Sequence, residues 1–231
     1  MATRPVTELD KSEVLSGLFA VWDSIDALLG GLSETEWQAA TPLPGWCVRA
    51  VVSHIIGTES FLQGIAPPQP DIDVKTLKHV RNDIGALNEC WVRHLSGEPG
   101  AGVLERFRAI TNDRRTALAG MSDEEWNAVM PTPVGPESYG RFMRVRTFDC
   151  WMHEQDMREA LSRPSSDDEL DVLGTGGAHG TPPGKPGELQ PVEPDRRRRF
   201  LAAEVVDHLG AAVDADADAA GQRAGQFEQD P

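Results

Sequence analysis

Asp149 and His153 stand four residues apart in Arg-Thr-Phe-Asp-Cys-Trp-Met-His-Glu-Gln-Asp, the stretch from Arg146 to Asp156. On a helix that spacing is about 400° of rotation and about 6 Å of rise, so a carboxylate and an imidazole project from one face, one turn apart. Together they can grip a divalent metal. A catalytic zinc takes three protein ligands and keeps a fourth position open, so another donor must come from elsewhere in the chain. The best candidate is His54, whose imidazole interrupts an apolar helical run between Trp46 and Glu59. The same spacing also serves an ordinary Asp–His hydrogen bond on a helix surface, and a lone His among Val and Ile commonly fills a core. The metal reading therefore requires the three side chains to meet.

Composition narrows the chemistry further. The chain has 231 residues, 39% hydrophobic with six Trp, which is enough for a buried core in one large domain or one medium domain with an appendage. No apolar run approaches the roughly 20 residues that cross a bilayer, and the first residues lack the apolar core of a signal peptide. The expected location is the cytoplasm, with no membrane partner. A formal net charge of -15 opposes nucleic-acid binding, which is driven by Lys and Arg releasing counterions. Cys47, Cys90 and Cys150 are odd in number and lack Cys-x-x-Cys spacing, so neither a disulfide framework nor a thiolate zinc site is expected. Cys150 lies about 100° round the helix from Asp149 and is read as a core residue.

The elements that must position the three candidates are helical. Apolar residues from Val14 to Leu29 recur at three-four spacing, predicting a helix over Leu9 to Leu29 that stops at Gly30-Gly31. Ser33-Glu34-Thr35-Glu36 is a capping box that opens a short helix. Pro42-Leu43-Pro44-Gly45 breaks the chain, and a helix from about Trp46 to Gln63 carries His54. Beyond the stiff connector Pro67-Pro68-Gln69-Pro70, the periodicity predicts helices over Val74 to Leu95 and over Val103 to Leu118.

An internal echo then links the ligand-bearing segments. Gly120-Met121-Ser122-Asp123-Glu124-Glu125-Trp126, followed by Pro131-Thr132-Pro133, repeats Gly31-Leu32-Ser33-Glu34-Thr35-Glu36-Trp37, followed by Pro42-Leu43-Pro44. Each copy leads from a capped short helix into a long one, the first toward His54 and the second toward Asp149 and His153. A pseudo-symmetric bundle brings those two long helices face to face, where bundles build their metal sites. From about Arg163, Pro, Gly, Ser and Asp dominate, so residues 163–231 read as a largely disordered tail with one helix over Asp195 to Leu209. The bundle itself is assigned to residues 9–162.

Pro44-Gly45-Trp46-Cys47-Val48-Arg49 running into Val52-Ser53-His54, then His79-Val80-Arg81-Asn82-Asp83, then the Arg146 to Arg158 motif, resemble the metal-binding domain of mycothiol-dependent maleylpyruvate isomerase-like proteins in the DinB-like helical superfamily. The likeness covers roughly Leu9 to Leu161. It implies an all-α, up-down-down-up four-helix bundle with a divalent metal, usually zinc, on His54, Asp149 and His153. Asp149 stands where the isomerase has Glu, a shorter arm that keeps a hard oxygen ligand. The resemblance also implies a smaller C-terminal α/β domain, of which residues 163–231 show no sign, so maleylpyruvate isomerisation itself is not the expected reaction.

The leading expectation is a transferase or isomerase in which zinc holds a low-molecular-weight thiol, mycothiol by resemblance, for attack on a small electrophile. Arg81 and Asn82 are candidates for orienting the thiol or an anionic substrate, with a surface role or a cap as the alternative for each. Asp156, one turn beyond His153, is a candidate to orient a ligand. A zinc hydrolase is the second reading, with Glu59 and Glu154 as its available bases, and a non-catalytic metal-binding or interaction module is the third. A homodimer is compatible with all three.

Overall fold

In a computed structural model, residues 7–132 and 135–166 are described. Seven helices follow one another: α1 (Lys11–Leu29), α2 (Glu34–Trp37), α3 (Val48–Leu62), α4 (Asp83–Leu95), α5 (Gly100–Gly120), α6 (Asp123–Asn127) and α7 (Tyr139–Ala160). Two contact units divide the chain. The first, Met1–Val129 with Ser138–Thr175, contains these seven helices; of the second, residues 130–132 and 135–137 are described. The strands β1 (Val129–Thr132) and β2 (Gly135–Ser138) pair, where the sequence predicts only a Pro-x-Pro loop. Four-residue strands are too short to show a period.

The helix directions follow from the ionic pairs. Arg108 of α5 binds Asp26 of α1 at 2.5 Å, and seven residues later Arg115 reaches back to Asp23 at 2.7 Å, so α5 runs against α1. Glu34 bridges the starts of α3 and α5, accepting from Arg49 at 2.6 Å and from the Gly100 N–H at 2.6 Å. Glu59 and Arg114 meet further along the same two helices, so α3 and α5 are parallel. On α7, the partners retreat from His153 and Asp149 to Arg146 as α3 advances from His54 to Glu59, which makes those two antiparallel. The long helices α1, α3, α5 and α7 thus form the up-down-down-up bundle, with α4 packed on α3. Among the described residues no helix is long and apolar enough to cross a membrane.

Local chemistry starts and stops these helices as the sequence predicts. Asp10 accepts from the Glu13 N–H to open α1, and both capping boxes form, Ser33 with Glu36 and Ser122 with Glu125. The echo has a structural meaning. Trp37 and Trp126 are each 1% exposed, and each ring occupies the space a side chain would need at the start of a long helix. A Cβ on Gly100 would stand 2.2 Å from Trp37 Cδ1, and one on Gly140 would stand 2.4 Å from Trp126 Nε1, so only glycine permits either approach.

Three boundaries differ from expectation. The helix predicted over Val74 to Leu95 is a single 3-10 turn, Val74–Thr76, followed by α4 from Asp83, because the Asp73 and Asn82 side chains cap two separate starts. α5 starts at Gly100 rather than Val103, drawn back by the bond from its first N–H to Glu34. Residues 163–166, assigned to the tail, bond to α7: Ser165 Oγ donates to Gln155 Oε1 at 2.8 Å and Ser166 Oγ to Glu154 Oε1 at 3.1 Å. The helix expected around Phe200 lies outside the described residues.

Candidate metal centre

α3 is buried almost all round, from Val48 to Ser60, so its polar residues need partners inside the bundle. His54, 7% exposed, looks across to α7, where Asp149 and His153 share a face as their spacing requires. One donor atom from each of the three lies within 4.8 Å of the other two. His54 Nε2 is 3.5 Å from Asp149 Oδ2, and His153 Nε2 is 3.7 Å from Oδ1. These separations exceed a good N–H···O bond of about 2.7–3.2 Å. With one donor atom from each residue all within 4.8 Å of one another, the three form a group that could hold a metal ion whose bonds are about 2.0–2.1 Å. The donor set, two imidazoles and one carboxylate, suits a divalent metal of the zinc type.

Trp46 walls the cluster, its ring 5.4 Å from His54 and 6.3 Å from His153. The turn that holds it needs Gly45 at φ +84°, and is closed by the Trp46 N–H donating to Leu43 O at 3.1 Å. Behind His153, Asp156 Oδ2 lies 3.3 Å from Nδ1, fixing the ring so that Nε2 faces the cluster. The role considered for Asp156 matches this geometry.

A chain of buried charges reaches Asp149 from the other side. Glu59, fully buried, accepts from Arg114 Nε at 2.9 Å and from Arg146 Nη2 at 2.8 Å. Arg146 also donates to Asp149 Oδ2, and Arg114 to the Tyr139 hydroxyl at 2.8 Å. Burial opposes the ionised form of Asp149, but Arg146 and both imidazoles outweigh it and hold its pKa well below the usual carboxylate range. Burial lowers the His54 pKa despite the adjoining Asp149. For His153 burial acts the same way but is overcome by Asp149 and Asp156, so its pKa is raised. Cys150 is buried with its thiol pushed up to about 12 by desolvation, consistent with a core residue and not a thiolate donor.

A family model described as the mycothiol maleylpyruvate isomerase N-terminal domain matches residues 18–158. The chain belongs to this family. Uncharacterized proteins of two Mycobacterium tuberculosis strains are each 22% identical over 159 residues, which is 68% of this chain and 60% of theirs. The crystal structure of the mycothiol-dependent maleylpyruvate isomerase superposes with a TM-score of 0.51 at 16% identity, over 64% of this chain and 61% of that one, and shows the fold alone. The chain thus spans about three fifths of the length of these relatives.

Of the other sequence candidates, Asn82 is the N-cap of α4, its Oδ1 accepting from the Gly85 N–H at 2.8 Å, and Arg81 is exposed in the irregular chain just before it. Glu154 is buried, with Oε1 accepting from Ser24 at 2.6 Å and from Arg158 at 2.6 Å. Sequence reasoning weighed Glu59 only as a base and passed over Arg114 and Arg146 as partners. The available signal was Arg146 at three residues before Asp149, a helix-neighbour spacing.

Proposed function

We propose that the chain binds a divalent metal through His54, Asp149 and His153 and serves a thiol-dependent transfer or isomerisation, with mycothiol as the thiol and a small electrophile as its acceptor. The observation that carries the reading is the convergence of two imidazoles and one carboxylate from α3 and α7, one donor atom of each within 4.8 Å of the other two, in a chain whose family model is named for mycothiol chemistry. A metal held by His54, Asp149 and His153 would supply Lewis acidity, which lowers the pKa of a bound thiol. The protein's own residues prepare that site. Burial keeps His54 neutral, so its ring offers a lone pair at ordinary pH. Asp156 turns His153 to present Nε2, and Arg146 keeps Asp149 ionised and aimed. Trp46 shields one side from water.

The hydrolase reading weakens on the same geometry. It needs a carboxylate that can take a proton from water; Glu59 has both oxygens held by arginines, and Glu154, whose Oε2 has no partner among the described residues, is 0% exposed and out of reach of solvent. Cobalt-loaded protein tests the proposal. Adding mycothiol, or a simple thiol at millimolar concentration, should produce an intense sulfur-to-cobalt band in the near ultraviolet that is absent in His153→Ala. A spectrum indifferent to every thiol would leave the non-catalytic module as the better reading.

A further inference from the structure

Glu59, Asp149 and Asp156 are linked with Arg114 and Arg146 in one connected chain around the cluster: Arg114 to Glu59, Glu59 to Arg146, Arg146 to Asp149, and Asp156 to His153. Glu59, Arg114 and Arg146 are 0%, 2% and 4% exposed, so water screens them poorly. With both imidazoles neutral as ligands, three carboxylates against two guanidiniums leave one negative charge, and a dication turns that into one positive. The nearby Glu154 and Arg158 pair with each other at 2.6 Å and do not alter the balance. Without Arg146 the loaded site would be neutral. An uncompensated charge in a poorly screened interior is costly, so the balance decides which fourth ligand is accepted.

We infer that Arg146, locked by Glu59, is a positioning residue that sets the charge of the ligand this site takes: by neutralising Asp149 it makes the loaded site select a monoanionic donor, such as a thiolate, over a neutral one. The inference rests on the metal reading above and deepens it, because Arg146 touches Asp149 and not the incoming ligand.

Cobalt-loaded full-length protein can be titrated with thiocyanate, a monoanion, and with imidazole, a neutral donor, following visible absorption. The ratio of the two dissociation constants cancels any loss of occupancy or geometry common to both probes. R146Q should reduce the preference for thiocyanate about tenfold or more, as a unit charge a few ångströms away does at an effective dielectric of about 20. R146K should retain it, and E59Q, which removes a negative charge, should move it the other way. If R146Q does not fold, the direction of the E59Q shift decides: a stronger thiocyanate preference supports the inference, and an unchanged or weaker one overturns it. An unchanged ratio in cobalt-bound R146Q overturns the inference and leaves the metal reading standing. Wild-type protein that takes up no cobalt overturns both.

Discussion

Replacing Glu59 by alanine is expected to destabilise the bundle by about 3–5 kcal/mol, the cost of removing one partner from a buried ion pair. The size follows from what is left behind. Glu59 is fully buried and takes Arg114 on one oxygen at 2.9 Å and Arg146 on the other at 2.8 Å. Without it, Arg114 keeps only the Tyr139 hydroxyl and the Met143 sulfur among the bonds seen here, and Arg146 keeps Asp149 and a long contact to Cys150 Sγ. Two guanidiniums, 2% and 4% exposed, then share too little negative charge. Replacing Glu59, Arg114 and Arg146 together by Leu and Met should recover most of the loss, since a packed apolar cluster commonly equals a buried ionic one. Urea unfolding followed by far-ultraviolet circular dichroism measures both. With a slope of about 1–3 kcal/mol/M, the single variant should lower the midpoint by at least about 1 M. A loss under about 1 kcal/mol for Glu59→Ala would mean that water or another anion reaches the two arginines, and the buried network described here would be wrong.

Other outcomes follow from single features of the site. His54→Ala should lose most bound metal in elemental analysis after gel filtration, because α7 alone offers two ligands; stoichiometric zinc in that variant would remove α3 from the site. In metal-free protein the His153 pKa lies above the usual 6.5, so a proton on its ring competes with the metal. Zinc affinity should therefore rise with pH through that raised value and then flatten, which a competition titration would show; a flat profile from pH 6 upward would contradict it. With its thiol at about 12 and buried, Cys150 should escape alkylation at pH 8 while the half-buried Cys47 reacts, as mass spectrometry of the folded protein would reveal. Truncation after Ser162 should melt below truncation after Ser166 by about 1–2 kcal/mol of stability, because it strips Glu154 and Gln155 of the Ser165 and Ser166 hydroxyls. Equal melting temperatures would show that those bonds contribute nothing.

Much of the bundle was legible because its signals are local. The caps at Ser33 and Ser122, the apolar spacing of α1 and α3, and the one-turn spacing of Asp149 and His153 each involve residues within a few positions of one another. The break before α4 was missed because apolar residues continue across it, and periodicity alone does not register that Asn82 caps a new start. The early start of α5 depends on Glu34, which lies 66 residues away. The buried ionic chain was the least legible part of the site. Glu59 and Arg146 are 87 residues apart, and nothing near either one announces the other. Only the antiparallel register of α3 and α7 places them opposite, one step beyond the pair formed by His54 and Asp149.

That register also relates the echo to the site. The two copies deliver long helices of opposite direction, but they do not deliver equivalent residues: α3 contributes one imidazole followed by an acid, whereas α7 contributes an arginine followed by a carboxylate and an imidazole. Read antiparallel, those lists are complementary. His54 falls opposite Asp149 and His153, and Glu59 falls opposite Arg146, so a neutral imidazole faces one carboxylate and a guanidinium faces the other at successive levels of the bundle. A network of this kind adds little net stability over apolar packing. What it fixes is the direction of one carboxylate. Asp149 has a shorter arm than the Glu that the family resemblance implies, and an acid with less reach has less freedom to find a ligand position for itself. Arg146, immobilised by Glu59 from the facing helix, supplies the orientation that side-chain length does not.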